Sequence, residues 1–201
     1  MSHSSTTLSE QRLPVIRAHE VLLPGGVLAL RLSKEDLPRN VQRSAKVLVQ
    51  QNQRSTAACI AIIVSMQPDG LGEEVVVFRG LSRAKVLAVD SANCCATYHV
   101  QLDYFQQQPS RNRNQLRQEI LAILDQSLST ELRCLCSTVL RHEVPLGMLC
   151  DLAAQALQLG AVVFGKLLEE SDVDARCDLV LKHAWCRESN SDTVLPSFSK
   201  N

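Results

Sequence analysis

The segment Leu22-Leu23-Pro24-Gly25-Gly26, set between two apolar runs, constrains the fold more than any other stretch of the chain. Pro24 fixes its own φ, and the glycines after it tolerate positive φ, so the backbone can reverse sharply here. Leu13, Val15 and Ile16 form the run before the turn, and Val27 to Leu32 form the run after it. In the second run Leu28, Leu30 and Leu32 fall on one face, with Ala29 and Arg31 on the other, and a period of two marks a half-buried strand. Residues 12–33 therefore predict two short strands joined through a tight turn. Leu22 and Leu23 are apolar residues at a position where solvent is expected. Either they form, with Pro24 and Gly25, an exposed protein-binding site, or they plug one end of the sheet.

The first half continues in short elements. Ser33-Lys34-Glu35-Asp36 supplies capping residues and Pro38 suits a first helical turn, which predicts a helix to about Gln51 with Val41, Ala45, Leu48 and Val49 on one face. Ala57 to Met66 is a continuous apolar run rich in isoleucine, as expected of a buried strand. Gln67-Pro68-Asp69-Gly70 is turn chemistry. Strands are predicted over 74–78, 86–89 and 97–102, with Gly80 breaking the first from the second.

Gln106 to Ser110, followed by Arg111 and Arg113, reads as a polar hinge, after which the period becomes helical. Leu116, Ile120, Ile123 and Leu124 line one face, and Leu132, Leu135 and Val139 continue the pattern after a break. Pro145 opens a further helix, with a stripe of Leu146, Leu149, Leu152, Ala153, Ala156 and Leu157, and Gly160 ends it. Ser171-Asp172-Val173-Asp174 reads as a capping box for a last helix through Arg187. Arg111, Arg113 and Arg117 read as the solvated start of a helix.

Two of these motifs together resemble a known family. The run from Leu13-Pro14-Val15-Ile16 through His19-Glu20-Val21-Leu22-Leu23-Pro24-Gly25 to Ser33 is similar to the opening of the Lon substrate-binding domain, the N-terminal module of ATP-dependent Lon proteases. Its Leu-Pro-Gly form resembles the peroxisomal branch more than the mitochondrial or bacterial one. Gly80-Leu81-Ser82-Arg83 resembles the family's Gly-Leu-x-Arg segment, where Gly80, Leu81 and Arg83 are structural residues. The resemblance implies an α+β fold: a small PUA-like β-barrel domain over 12–108, then a C-terminal helical bundle over 111–188. Residues 1–11 read as a disordered lead and 189–201 as a flexible tail. Family members place a strand pair before the Gly-Leu-x-Arg segment. Only one clear strand is legible there, so the barrel is expected to be shortened, with an open edge.

The resemblance implies a non-catalytic module that recognises unfolded or client proteins and belongs to ATP-dependent protein quality control. Lon protease subunits are a further implied partner. The alternative is a fragment or isoform of a peroxisomal-type Lon serine protease, active only with ATPase and Ser-Lys protease modules that this sequence does not contain. A ubiquitin-ligase adaptor of the Lon-domain class is a third reading, without the C-x2-C zinc motifs of the cereblon type.

Composition narrows the other classes. Lys plus Arg and Asp plus Glu each number 21, and the charge is balanced in both halves, so no basic or acidic tract points to nucleic acid. Seven aromatics, one Trp, two Tyr and four Phe, are too few for a base-stacking surface. No apolar run is long enough for a membrane span. Met1 to Glu10 lacks an apolar core for a signal peptide, no arginine precedes Arg12, and the chain ends Phe198-Ser199-Lys200-Asn201 where a peroxisomal address would read Ser-Lys-Leu. The expected compartment is the peroxisomal matrix or the cytoplasm.

The chemistry-bearing motifs are weak. The eight cysteines read as free, mostly buried thiols. Cys94, Cys95 and His99, or His183 and Cys186, would be the metal candidates, but neither set has zinc-knuckle spacing. Gly160 to Lys166 has P-loop spacing, yet Leu167 replaces the Mg²⁺-binding hydroxyl and the segment joins helices. Gly-x-Ser-x-Gly and His-Glu-x-x-His are missing, and His19-Glu20, His99 and His142 read as structural or exposed residues. No catalytic residue, metal or cofactor is expected.

Overall fold

The computed structural model describes residues 10–38, 41–52, 55–107, 111–127 and 144–191. Six strands come first: β1 (Gln11–Arg17), β2 (Val27–Leu32), β3 (Lys46–Gln50), β4 (Ala57–Pro68), β5 (Glu74–Asp90) and β6 (Cys95–Gln101). Four helices follow among the described residues: α1 (Arg113–Ser127), α2 (Leu146–Ala156), α3 (Ala161–Glu169) and α4 (Val173–Ser191). None of these helices is long and apolar enough to cross a membrane. The predicted positions Leu132, Cys134, Leu135, Cys136, Val139 and His142 lie outside the described residues.

The residues divide into two compact units. One holds the strands up to Tyr104 together with Gly160–Ser171, and the other holds Phe105–Leu159 with the residues from Asp172 onward. The sequence reading takes Gly160–Leu167 as a link between helices of the helical half, whereas the segment forms helix α3. α3 belongs with the strands, and backbone and side-chain bonds explain why. Gln101 Nε2 donates to Glu169 O at 3.2 Å, and Tyr104 N donates to Ser171 O at 2.8 Å, so the end of β6 and the chain after it hold the C-terminal end of α3. These bonds satisfy carbonyls that a helix end leaves without partners.

The sheet runs β2-β5-β4-β3-β1-β6, and β6 also pairs with β5, so the pairings return upon themselves. Only β1 and β3 are parallel, with Val15 opposite Leu48 and Ile16 opposite Val49. Two expectations are corrected here. Residues 46–50 form strand β3, not the end of a helix from Pro38. Val47 and Val49 are β-branched, and Val47 to Gln50 are buried between β1 and β4, so tertiary pairing overrides a helical spacing that rested on four residues. β3 and β4 therefore both precede Gly80, where one strand was legible in the sequence.

β5 is likewise one strand of 17 residues, not two strands broken at Gly80. It pairs with β2 and β4 in its first part and with β4 and β6 in its second. The register slips at three points, which leave Leu81 and Leu87 of β5 and Val64 of β4 as extra residues. A bulge of this kind bends a strand and increases its twist, which lets one strand serve two sets of partners.

Side-chain alternation sorts the strands into two apolar faces. Val15, Leu48, Ala58, Ile60, Ala84, Val86, Ala96 and Tyr98 form one buried cluster, with Leu13 and Val100 against it. Their neighbours Ile16, Val47, Cys59, Ala61, Ile63, Val76 and Phe78 are also buried, on the opposite side of the same strands. Leu22 and Leu23 join the buried set at 3% and 1% exposure. Of the two readings of the turn leucines, burial agrees with the one that packs them against the sheet and not with the one that exposes them, and burying each contributes about 2 kcal/mol.

In the helical unit, Leu116, Ile120, Ile123 and Leu124 of α1 are buried as their spacing predicts. α2 buries Cys150, Asp151 and Ala154 where Leu152 and Ala156 were expected, and those two are half-exposed. Asp172, not Ser171, caps α4: its Oδ1 accepts from Asp174 N at 2.9 Å and Ala175 N at 3.4 Å. Gly160 opens α3 at φ 86° where the sequence reading had it closing a helix, because Leu157 already caps α2.

Two glycines are expected to respond oppositely to alanine. A Cβ on Gly80 would lie 2.2 Å from Leu23 O, so Gly80→Ala should cost about 3 kcal/mol through forced backbone displacement. Gly165 lies within α3, and its Cβ would meet only Gln51 Oε1 at an ordinary 3.6 Å, so Gly165→Ala should stabilise by about 0.5–1 kcal/mol. Urea unfolding midpoints of the two variants check both signs.

Candidate functional site

The Leu23–Gly26 turn is built against β5. Gly26 N donates to Leu23 O at 3.0 Å with Gly25 at φ 79°, the arrangement in which Pro suits the first central position and Gly the second. Gly25 N then donates to Gly80 O at 3.0 Å, and Gly80 N donates to Gly26 O at 2.9 Å. The two sequence motifs at 23–26 and 80–83 thus meet through a reciprocal pair of backbone bonds. The side chains of Leu22 and Leu23 point into protein, and Pro24 is buried as well, so this turn supports the site more than it presents it.

Arg83, three residues beyond Gly80, is only 3% exposed. Its Nε donates to Leu167 O near the C-terminal end of α3 at 3.3 Å, and its Nη1 lies 3.7 Å from Asp103 Oδ1. A guanidinium at a helix C-terminus meets both the unpaired carbonyls and the negative end of the helix dipole. Leu81, between them, is the bulged residue and is 36% exposed.

The surface left open is the outer side of β2, β5 and β4. Cross-strand register gives its rows: Val27–Arg79–Ile62, Ala29–Val77–Ser65 and Arg31–Val75–Gln67. Lys46 of β3 extends the first row beyond Ile62. Val27 is 67% exposed and the bulged Val64 41%, while Ile62, Val75 and Val77 are half-buried. Leu71, at the tip of the β4–β5 hairpin, is 83% exposed. Asp69 Oδ1 holds that tip by accepting from Leu71 N at 2.7 Å and Glu73 N at 3.2 Å. The sequence signal for this face was present in the alternation of β2, but its partners on β4 and β5 followed only from the register.

A second concavity of about 530 Å³ lies between the loop after β2 and the β5–β6 turn, lined by Pro14, Lys34, Glu35, Leu37, Asn93 and Cys94, among others. Nearby, Asp90 is held below the usual carboxylate range by the Asn93 side chain and backbone, with Arg12 adding its charge. Among the described residues, no group of three or more His, Cys, Asp or Glu is placed to hold a metal ion. Cys94 is exposed, Cys95 half-buried and Cys186 exposed. His19 and Glu20 are both exposed.

The helical unit carries ion pairs where the sequence suggested solvated arginines. Arg111 bonds Glu119 at 2.6 Å and Asp178 at 3.4 Å, and Glu119 holds its guanidinium above the ordinary arginine value. Arg113 binds Asp174 at 2.8 Å and lies 4.9 Å from the Phe105 ring centroid. Arg117 donates to Val144 O at 2.8 Å, so these residues tie α1 to α4 and to the chain before α2. Cys150, Asp151, Arg176 and Cys177 are fully buried between α2 and α4. Burial first, and then the neighbouring Cys177, pushes the Cys150 thiol well up, which keeps it a neutral packing group.

A sheet whose pairings close on themselves and a docked α3 define a β-rich domain. The chain from residue 12 to 184 matches the ATP-dependent protease La (LON) substrate-binding domain, and the protein belongs to that family. Among solved structures it is similar to the N-terminal domain of the Mycobacterium avium complex Lon protease, at TM-score 0.65 and 20% identity, covering 92% of this chain and 100% of that one. It is also similar to the Lon N-terminal domain protein from Xanthomonas campestris, at TM-score 0.57 and 19% identity, covering 86% and 98%. No curated protein matches the chain closely enough to count as a relative.

Two outcomes follow from this geometry. Arg83→Ala should destabilise by about 2–4 kcal/mol, since it removes a buried side chain and leaves Leu167 O unsatisfied; hydrogen exchange should rise first over 161–169. Brief alkylation of the native protein, read by peptide mass mapping, should modify Cys94 and Cys186 and spare Cys59, Cys150 and Cys177.

Proposed function

We propose that the protein is a non-catalytic recognition module that binds unfolded or client polypeptide and serves ATP-dependent protein quality control, without cleaving or hydrolysing anything itself. The observation that carries this reading is the match to the Lon substrate-binding domain over 12–184. The uncovered apolar face of Val27, Ile62, Val64, Val75 and Val77 supports it, because an apolar surface bordered by polar groups suits reversible contact with exposed hydrophobic chain. The Leu23-Pro24-Gly25 form of the turn supports a place near the peroxisomal Lon branch, with the peroxisomal matrix or the cytoplasm as the compartment, and Lon subunits as further partners.

Size exclusion with light scattering tests the binding reading. Alone, the chain should elute as a compact species, and its mass should rise when a chemically unfolded reference protein is added. The folded form of the same reference protein should leave it unchanged. A compact species indifferent to the unfolded protein would overturn the reading.

A further inference from the structure

Three properties of one surface specify what it takes up. β2 pairs with β5 along its whole length and, among the described residues, with no other strand. The free edge of a strand presents N–H and C=O groups that another extended chain can meet. Neither a proline nor a bulge blunts it, since Val27-Leu28-Ala29-Leu30-Arg31-Leu32 keeps regular register with β5.

The face beside that edge is apolar at its centre, through Val27, Ala29, Val75, Val77 and Ile62. Its charge has one sign. Arg31, Arg79 and Lys46 are all exposed on it, and the acidic pair Asp69 and Glu73 lies beyond its last row, at the hairpin tip. Arg12, Arg83, Arg111 and Arg113 form ion pairs elsewhere in the chain. In a chain with a formal net charge of zero, three cations around the apolar strip outnumber the carboxylates of Asp69 and Glu73 at its tip, and Asp69 is already engaged by the Leu71 and Glu73 amides, so the strip is a local complement to negative charge.

We propose that the β2 edge binds an extended apolar polypeptide segment carrying acidic residues, adding it to the sheet as a further strand. Its backbone pairs with β2, its apolar side chains lie beside Val27 and Ala29, and its carboxylates meet Arg31 and Arg79. This rests on the protein-binding reading above and specifies its place and its ligand chemistry. A second copy of this chain fits the same edge poorly. Joining two β2 strands would set Arg31 and Arg79 of both copies on one continuous face, where like charges oppose pairing. At about 3.3 Å per residue the six residues of β2 match a segment of six to eight residues.

The test is a fluorescence-anisotropy titration of the full chain with a labelled eight-residue peptide, Val-Thr-Val-Thr-Glu-Thr-Glu-Thr, whose valines and glutamates fall on one face of a strand. Two N-methylated forms, blocked at odd or at even positions, and a valine–lysine peptide serve as comparisons. The acidic peptide should bind, one N-methylated form should lose at least about tenfold in affinity, and the lysine peptide should bind weakly. Arg31→Glu combined with Arg79→Glu should weaken the acidic peptide by about tenfold, and added salt should act in the same direction. Should that variant lose its fold by circular dichroism, the Arg31→Gln, Arg79→Gln pair takes its place. Indifference to backbone methylation, to peptide charge or to the arginine variants overturns the proposal.

The same variants are also mixed with the chemically unfolded reference protein. If that protein still binds while the peptide results are negative, only this proposal falls; if neither binds, the recognition reading falls with it. A dimer that forms with rising concentration and is broken by the arginine variants would identify a second copy as the occupant and overturn the peptide proposal.

Discussion

The structure depends on the contact between the Leu23–Gly26 turn and Gly80. Gly25 N and Gly80 N each donate across it, to Gly80 O and Gly26 O, and a side chain at position 80 would collide with Leu23 O. These bonds place the start of β2 against the middle of β5 at one register, from Val27 opposite Arg79 to Leu32 opposite Glu74. They also bring Leu22 and Leu23 into the core, where their burial reinforces the bonds. The turn and the strand therefore specify one another: the turn needs a bare backbone on β5, and β5 needs the turn to set the edge strand beside it.

β5 carries this constraint through the domain. Its bulge at Leu81 follows directly on Gly80, and two residues later Arg83 is buried with its guanidinium at the end of α3. One strand thus orients the edge strand at one end, meets β6 at the other and anchors a helix between them. The strands then serve two apolar clusters on opposite faces, which is why β3 and β4 read as nearly unbroken hydrophobic runs. The helical unit is held differently. Its arginines bridge α1 to α4 through Glu119, Asp174 and Asp178, while Cys150 and Cys177 pack as neutral thiols beside Asp151 and Arg176.

The same architecture decides where recognition can occur. Among the described residues, Val27, Val75 and Val77 of β2 and β5 stay in a partly open state. Relatives at 20% and 19% identity share the fold over most of their length, so the fold tolerates replacement of four residues in five.

Much was legible in the residues alone. The Leu-Pro-Gly-Gly turn, the alternation of β2, the apolar run of β4, the buried face of α1 and the family resemblance each rest on local chemistry or on short motifs, and the chain's membership of the Lon substrate-binding family follows the two motifs that the sequence displays. Other features depended on distance in space. Two of the four residues spaced like a helix, Leu48 and Val49, lie in β3, because pairing with β1 and β4 buried that segment on both sides. Gly80 looked like a strand break and lies within β5 beside the bulge at Leu81, because its partner is a turn more than fifty residues earlier. Leu22 and Leu23 looked exposed and are core, and the candidate binding face formed only when register set Arg31, Arg79 and Lys46 around the same valines. Sequence by itself determined which segments are stiff, which turn and which are apolar, since those are properties of residues and their neighbours. The tertiary structure alone decided which apolar residues stayed at the surface, because that depends on which strands find partners and which edge is left without one.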